Sequence, residues 1–151
     1  MARAPTIHQA YYYAVPPNRV YEALTDPKLL ARWFVEKAQV TLRKGGAFRL
    51  TWHGGYKMNA QVRTADAPNR LSLTWIDRFE DQKVFETHVR FDLRRKGKGT
   101  ILTVTHRGFK KGKRWTALYG AIESGWAYYL MNLRSVLEHD TDLRSRHDSF
   151  T

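Results

Sequence analysis

Cysteine is absent from this sequence of 151 residues. The chain therefore has neither disulfide bonds nor thiolate metal sites. No pair of histidines has the spacing of metal ligands on one helix face, and the glycine pairs are those of hairpin turns rather than a phosphate-binding loop. We expect no metal and no cofactor. At this length we expect one domain over residues 1–151, with a core large enough to fold without cross-links.

Long apolar runs are also missing. No run approaches the ~18 residues that a helix needs to span a bilayer. Residues 1–6 lack the apolar segment of an export signal. The hydrophobic fraction of 42% and the aromatic fraction of 13% are those of a globular core. We therefore expect a soluble cytoplasmic protein.

Acidic residues are scarce, with 14 Asp and Glu against 26 Lys and Arg, and the formal net charge is +12. None occurs between Glu36 and Asp66, or between Asp92 and Glu123. Such a basic surface attracts phosphates, an acidic protein partner or an anionic surface, or it serves only as a solvated face. Nucleic acid is not the expected partner, because few exposed aromatic residues are interleaved with the basic runs.

Apolar residues at helical spacing are present near the end of the chain. Their period of 3.6 residues predicts one long helix over residues 115–138. Its apolar face is unusually aromatic and consists of Trp115, Tyr119, Ile122, Trp126, Tyr129, Leu130, Leu133 and Leu137. From His139 onward the sequence is polar, and we expect residues 139–151 to be frayed. His139, Asp142 and Ser145 are residue types of a hydrolase triad, but catalysis needs rigid positions, so we assign them no such role.

The first third of the chain predicts one strand followed by two short helices. The strand covers residues 7–15 and stops at two prolines. Pro17 suits the first turn of one helix. Asp26 suits the N-cap of a second helix, with Pro27 at its first position.

Between these helices and the long one, apolar and polar residues alternate as in half-buried strands. The apolar parity comprises Phe48, Leu50, Trp52, Met58, Ala60, Val62, Leu71, Leu73, Trp75, Phe85, Val89, Phe91, Leu93, Leu102, Val104 and His106. This pattern predicts an antiparallel sheet with one apolar face. Only the C-terminal helix is long enough to cover that face. The fold class is therefore α+β, in the order β-α-α-β(5–6)-α, with a curved sheet wrapped around a long C-terminal helix.

Taken together, these segments resemble a known family. The segments are residues 15–27 (Val-Pro-Pro-Asn-Arg-Val-Tyr-Glu-Ala-Leu-Thr-Asp-Pro), 33–34, 45–48, 68–75, 99–109, 125–126, 129–130 and 133. In this order they resemble the helix-grip fold of START-like (SRPBCC) domains, which include the birch pollen allergens. The closer resemblance is to the branch named after the activator of the heat-shock protein 90 ATPase. It covers about residues 7–138.

The resemblance implies a hydrophobic cavity between the sheet and the C-terminal helix. Family members bind lipids, hormones, polyketides or other apolar ligands there, and no catalytic residue is common to all branches. The residues expected to line the cavity are Trp33, Phe34, Phe48, Leu50, Trp52, Met58, Trp75, Phe85, Val89, Phe91, Val104, His106, Tyr119, Ile122, Trp126, Tyr129, Leu130 and Leu133. In START-like proteins a helix or a hairpin edge often mediates pairing, so both a monomer and a homodimer remain open.

His106 is the one titratable residue on the apolar parity, and we expect it beside Trp126 or Tyr129. There it serves as an acid or base, hydrogen-bonds a ligand carbonyl, or is a core histidine bonded to a tyrosine hydroxyl or a backbone group.

Three functions follow from the sequence. The first is a small-molecule-binding protein that holds an apolar or aromatic ligand. The second is an interaction module that resembles the chaperone activator and meets an acidic protein or a chaperone. The third is a cavity enzyme such as a cyclase, although the sequence favours no enzyme and supplies no catalytic residue.

Overall fold

The computed structural model describes residues 5–144. Its elements follow the order β1 (Ile7–Tyr13), α1 (Pro17–Thr25), α2 (Pro27–Trp33), β2 (Lys37–Val40), β3 (Ala47–Thr51), β4 (Lys57–Asp66), β5 (Arg70–Arg78), β6 (Val84–Lys96), β7 (Gly99–Arg107) and α3 (Lys113–His139). This is the predicted α+β order with six strands after the two short helices, so the predicted fold class is confirmed.

All seven strands form one antiparallel sheet in the order β1-β7-β6-β5-β4-β3-β2. Strands β2 to β7 form a meander, and β1 pairs with β7 at one edge. Because β1 and β2 occupy opposite edges, α1 and α2 carry the chain from one edge to the other. The predicted alternation is present in the long strands, as in β6, where every second residue from Phe85 to Leu93 is buried.

The two short helices begin as the sequence predicts. Pro17 is the first residue of α1, and the Asp26 carboxylate accepts a hydrogen bond of 2.8 Å from the backbone N–H of Lys28 at the start of α2. The indole Nε1–H of Trp33 donates to the carbonyl of Ala23 at 2.8 Å. This buried bond fixes the angle between α1 and α2, because the indole N–H would otherwise lack a partner.

Helix α3 is more deeply packed in its second half than in its first. Its buried residues are Trp126, Leu130, Asn132, Leu133 and Val136, whereas Trp115, Tyr119 and Ile122 of the predicted apolar face are half-buried. The first half is attached to the β5–β6 loop instead. There the Arg114 guanidinium bonds Asp81 at 2.8 Å and lies 3.9 Å from the centre of the Phe79 ring.

Residues after α3 make contacts back to α2. The Arg144 guanidinium donates to the carbonyls of Ala31 at 2.8 Å and Val35 at 3.0 Å. The buried amide of Asn132 donates to the carbonyl of Trp33 and to Asp142. Within the stretch expected to fray, Asp142 and Arg144 therefore have fixed partners. Residues 145–151 lie outside the described residues.

Two features were not predicted from the sequence. Strand β2 covers only Lys37–Val40, and its alternation of Lys37 and Gln39 with Ala38 and Val40 is too short to stand out in the sequence. Trp52 follows the end of β3 and belongs to the hairpin turn, where its backbone N–H donates to the carbonyl of Tyr56 at 2.8 Å. Within residues 5–144, no helix is both long enough and apolar enough to cross a membrane.

Two adjacent tyrosines on β1, Tyr12 and Tyr13, allow a test of the hydrogen bond that joins this edge strand to α3. Tyr13 is 0% exposed and its hydroxyl donates to the carbonyl of Leu130 at 2.8 Å, whereas Tyr12 is 43% exposed. We expect Tyr13→Phe to lower the free energy of unfolding by about 1 kcal/mol, because one buried hydrogen bond is lost. Tyr12→Phe is the matched control and should change it by less than ~0.5 kcal/mol. Urea denaturation measures both, and equal values for the two variants would contradict this assignment.

Candidate functional site

Phe34 lies at the centre of an aromatic cluster between the sheet and α3. It follows the last residue of α2 and is 5% exposed. Its ring centre lies 4.8 to 6.5 Å from the centres of five other rings, which belong to Trp33, Trp52, Trp75, Trp126 and Tyr129. These six residues are the Phe34 cluster. They come from α2, the β3–β4 turn, β5 and α3, which are far apart in the sequence.

The space predicted to be a cavity is filled by these rings. A void of about 10 Å³ remains, lined entirely by apolar surface. That is about the volume of one water-sized probe, which is too small for an organic ligand. The expectation of an open cavity is therefore not met in this structure. The physical reason is that the large side chains, Phe34 above all, stack against one another across the space between sheet and helix.

Several of the predicted cavity residues meet at this void. They are Trp33, Phe34, Phe48, Trp75, Phe91 and Trp126, and Leu24, Leu30 and Leu73 join them. The three leucines were not predicted to line it, although Leu73 shares the inward parity of β5. Leu24 and Leu30 lie on the apolar sides of α1 and α2. Sequence alone did not show that these two helices reach over the same space as α3.

The other predicted residues lie elsewhere in the core or nearer the surface. Buried residues away from the void are Leu50, Met58, Val89, Val104, Leu130 and Leu133. Phe85 contacts Phe79 and Trp115 in a separate aromatic group under the first turn of α3. Tyr119 and Ile122 are half-buried, because the first half of α3 is lightly packed.

Trp52 and Tyr129 connect the cluster to the protein surface. Both are half-buried, and each packs edge-on against Phe34, at 5.3 and 5.0 Å between ring centres. Tyr56, which is exposed, lies 5.7 Å from Trp52. Partial burial raises the pKa of the Tyr129 phenol. These rings form a path of aromatic contacts from the void to solvent.

His106 is the polar residue of the core beside this cluster. It is 0% exposed. Its Nδ1 accepts a hydrogen bond of 3.0 Å from the Trp126 indole, and its Nε2 lies 2.8 Å from the Thr87 hydroxyl oxygen. An indole N–H is only a donor, so Nδ1 carries no proton and Nε2–H donates to Thr87. The expected neighbour Trp126 is thus the observed one.

Both ring nitrogens of His106 are engaged within the protein. Burial, with a smaller effect from His88, lowers the pKa of His106 to about 3, so the ring is neutral at physiological pH. The Thr87 hydroxyl in turn lies 3.5 Å from the carbonyl oxygen of Trp75. The geometry therefore gives His106 a structural role: it joins α3 to strands β6 and β7. Its bonding partners are an indole and a threonine, rather than the tyrosine or backbone group expected.

The larger depressions in the described part of the chain lie on the surface and are lined by both polar and apolar groups. One of about 540 Å³ lies between α2 and the residues after α3, where the Arg32 guanidinium bonds the Asp140 carboxylate. His53 lies in its wall, 3.8 Å from Glu36. Residues 5–144 contain no group of three or more His, Cys, Asp or Glu side chains placed to hold a metal ion.

Comparison with known proteins identifies the family. A model of the family described as activator of Hsp90 ATPase homolog 1-like protein matches residues 14–138. The chain belongs to this family. The resemblance to SRPBCC domains of this branch is thereby confirmed. The family is broad enough to include ligand-binding and activator-like modules.

Solved structures agree with this membership. Protein MLL2253 from Mesorhizobium loti is 26% identical, with a TM-score of 0.81 over 92% of this chain and 100% of that one. CalU16 from Micromonospora echinospora is 26% identical, with a TM-score of 0.72 over 91% and 78%. The Aha1 dimer from Colwellia psychrerythraea, at 18% identity, shares the fold with a TM-score of 0.76 over 89% and 97%. No curated protein matches this family member significantly.

The depressed pKa of His106 predicts how the stability of this family member depends on pH. Between the unfolded value of 6.5 and the folded value of about 3, the unfolded chain binds a proton that the folded chain does not. Stability is therefore lost as the pH falls through this window, by up to about 1.4 kcal/mol per pH unit. In His106→Gln this loss should disappear, although the variant is less stable at pH 7.

Urea denaturation at pH 4, 5, 6 and 7 gives the free energy of unfolding at each pH. The effect is measured as the difference between variants in the slope of this free energy against pH. His8→Gln changes an exposed histidine on β1 and serves as the control, with the slope of the wild type. If His106→Gln and the wild type lose stability equally between pH 6 and 4, the buried neutral imidazole is not the source.

Proposed function

We propose that this protein is a binding module for an apolar or aromatic small molecule, with the Phe34 cluster as its site. The observation that carries the proposal is the arrangement of rings around Phe34. Five aromatic side chains surround it, and two of them, Trp52 and Tyr129, reach the surface. Membership of the SRPBCC superfamily supports a ligand at the same place between sheet and helix.

Binding at this site requires the Phe34 ring to move, because the void of about 10 Å³ holds no organic molecule. Phe34 lies in the short connection between the end of α2 at Trp33 and the start of β2 at Lys37. Its side chain is therefore not held in the ladder of a strand. A planar ligand that takes its place recovers the ring contacts that Phe34 gives up, each about 0.5–1.5 kcal/mol beyond area burial.

Selection of the ligand depends on shape and ring stacking more than on hydrogen bonds. The surface lining the void is wholly apolar, and the nitrogens of His106 and Trp126 already bond within the protein. Polar groups occur at the outer end of the cluster. There a hydrogen bond between the Trp52 and Tyr129 side chains is one of the effects on the pKa of the Tyr129 phenol. A mostly apolar ligand with one polar end suits this arrangement.

Phe34→Ala should increase the affinity for a neutral apolar probe at least fivefold, because it removes the ring that the ligand must displace. N-phenyl-1-naphthylamine is a suitable probe, since its lack of charge avoids the basic surface. Fluorescence titration measures the affinity. The indole N–H signals of the five tryptophans locate the site by NMR: those of Trp52, Trp75 and Trp126 should shift, and that of Trp115 should not.

Phe109→Ala is the matched control, because Phe109 is equally buried but packs against Trp115 and Tyr119 outside the cluster. Each Phe→Ala change costs about 3–5 kcal/mol of stability. Phe34→Leu is therefore measured as well, as a milder variant that remains folded. If folded Phe34→Leu and the wild type both fail to bind the probe up to its solubility limit, or if only the Trp115 signal moves, the proposal is wrong.

Family membership favours a second function, interaction with a chaperone of the heat-shock protein 90 type. The net charge of +12 is complementary to an acidic partner. If this function is correct, adding the protein should raise the ATPase turnover of heat-shock protein 90, and the effect should fall steeply between 50 and 300 mM salt. Unchanged turnover at low salt would exclude it. A catalytic role is not part of either proposal, because the two His106 nitrogens are bonded within the core.

A further inference from the structure

A basic groove lies on the outer face of the sheet, opposite α3. Its volume is about 510 Å³, and its lining includes four arginines and one histidine, namely Arg63, Arg70, Arg90, Arg107 and His88. The hydroxyls of Thr64, Ser72 and Thr105 line it too. No carboxylate and no lysine of the described chain is among the lining residues. We call it the outer groove.

Strand register brings the cations of the outer groove together. Arg90 on β6 lies opposite Ser72 on β5 and Thr105 on β7, and the next outward residue of β6, His88, lies opposite Arg107. Neighbouring strands are about 4.8 Å apart. The four arginines come from β4, β5, β6 and β7, so their backbone positions span about 15 Å across the sheet.

A β-bulge contributes two groove residues from β4. The register between β4 and β5 shifts between Val62 and Thr64, which makes Arg63 the extra residue. In a regular strand, consecutive side chains point to opposite faces. At this bulge both Arg63 and Thr64 line the groove. A bulge interrupts the hydrogen-bond ladder and therefore lowers the local stability of the sheet. Its effect here is to place a cationic and a hydroxyl side chain on the same face.

Asp92 holds two of the guanidinium groups in fixed orientations. Its Oδ1 accepts from Nε of Arg70 at 2.6 Å, and its Oδ2 accepts from Nε of Arg90 at 2.7 Å. Each arginine thereby keeps its two terminal nitrogens for other partners. The four arginines outnumber the carboxylates beside them, which are Asp92, Glu86 and Asp66, the last lying opposite Arg70 in the β4–β5 register. His88 lies 3.8 Å from the Glu86 carboxylate.

We propose that the outer groove binds a compact polyanion, a small molecule that carries a phosphate or diphosphate group. Arginine, rather than lysine, matches phosphate oxygens with paired hydrogen bonds. The volume lies within the range of small-molecule sites. The described lining contains no Phe, Tyr or Trp ring on which bases stack, which disfavours single-stranded nucleic acid. A face that served only solubility would need neither the bulge nor the shared aspartate.

Inorganic pyrophosphate is the probe, with affinity measured by isothermal titration calorimetry at 50 and 150 mM salt. We expect binding of one pyrophosphate per chain, weakened at least tenfold in Arg63→Gln, Arg90→Gln and Arg107→Gln. Arg94→Gln is the matched control. Arg94 lies on the same face of β6 as Arg90, about 13 Å further along the strand and outside the groove. It should change the affinity less than twofold. Equal weakening by all four variants would show diffuse charge attraction and overturn the proposal.

Asp92→Asn separates orientation from charge. It adds one positive charge to the groove, so a purely electrostatic site would bind pyrophosphate more tightly. We expect Asp92→Asn instead to weaken the affinity for pyrophosphate at least threefold, because Arg70 and Arg90 lose the carboxylate that orients both of them. Tighter binding by Asp92→Asn would contradict the fixed arrangement. Citrate and a single-stranded oligonucleotide are titrated in the same way. If either binds more tightly than pyrophosphate and is weakened by the groove variants, the groove belongs to another class of ligand. The outcome is independent of the Phe34 variants.

Discussion

Trp126 is the residue through which the C-terminal helix is joined to the rest of the molecule. Its indole N–H bonds His106 on β7, and its ring contacts Trp75 on β5, Phe91 on β6 and Phe34 after α2. The helix lies across the sheet at a distance that large rings must fill. The hydrogen bond fixes the orientation of one of those rings, and the others stack in positions that depend on it.

The space between the sheet and α3 is filled by aromatic side chains of this chain, which changes what a ligand would have to do to bind there. In a fold that is associated with a cavity, this chain fills the equivalent space with its own aromatic side chains and leaves about 10 Å³. Close packing of this kind stabilises the ligand-free protein, so any ligand must compete with Phe34 for the same contacts. The affinity for a ligand is then set by the difference between two packed states, and not by the filling of an empty site.

The two faces of the sheet are chemically separate. The inner face carries the aromatic core and one neutral histidine, and the outer face carries the arginines, of which two share Asp92. The alternation of side chains along regular strand segments makes this separation possible, because one strand supplies residues to both faces. An apolar ligand inside and an anionic ligand outside would therefore bind independently, with the sheet between them.

The sequence by itself determined the fold class, the helix starts at Pro17 and Asp26, and the parity of the strands, because each depends on local spacing or on residues close in the chain. It also placed His106 beside Trp126 or Tyr129, since these residues lie on apolar faces that must meet, and the structure selects Trp126. Only the tertiary structure decided that Phe34 fills the cavity, that α1 and α2 supply Leu24 and Leu30 to its wall, and that a bulge turns Thr64 to the outer face beside Arg63. These features depend on the distance between packed elements and on the pairing register. The spacing of residues along one element does not encode either quantity.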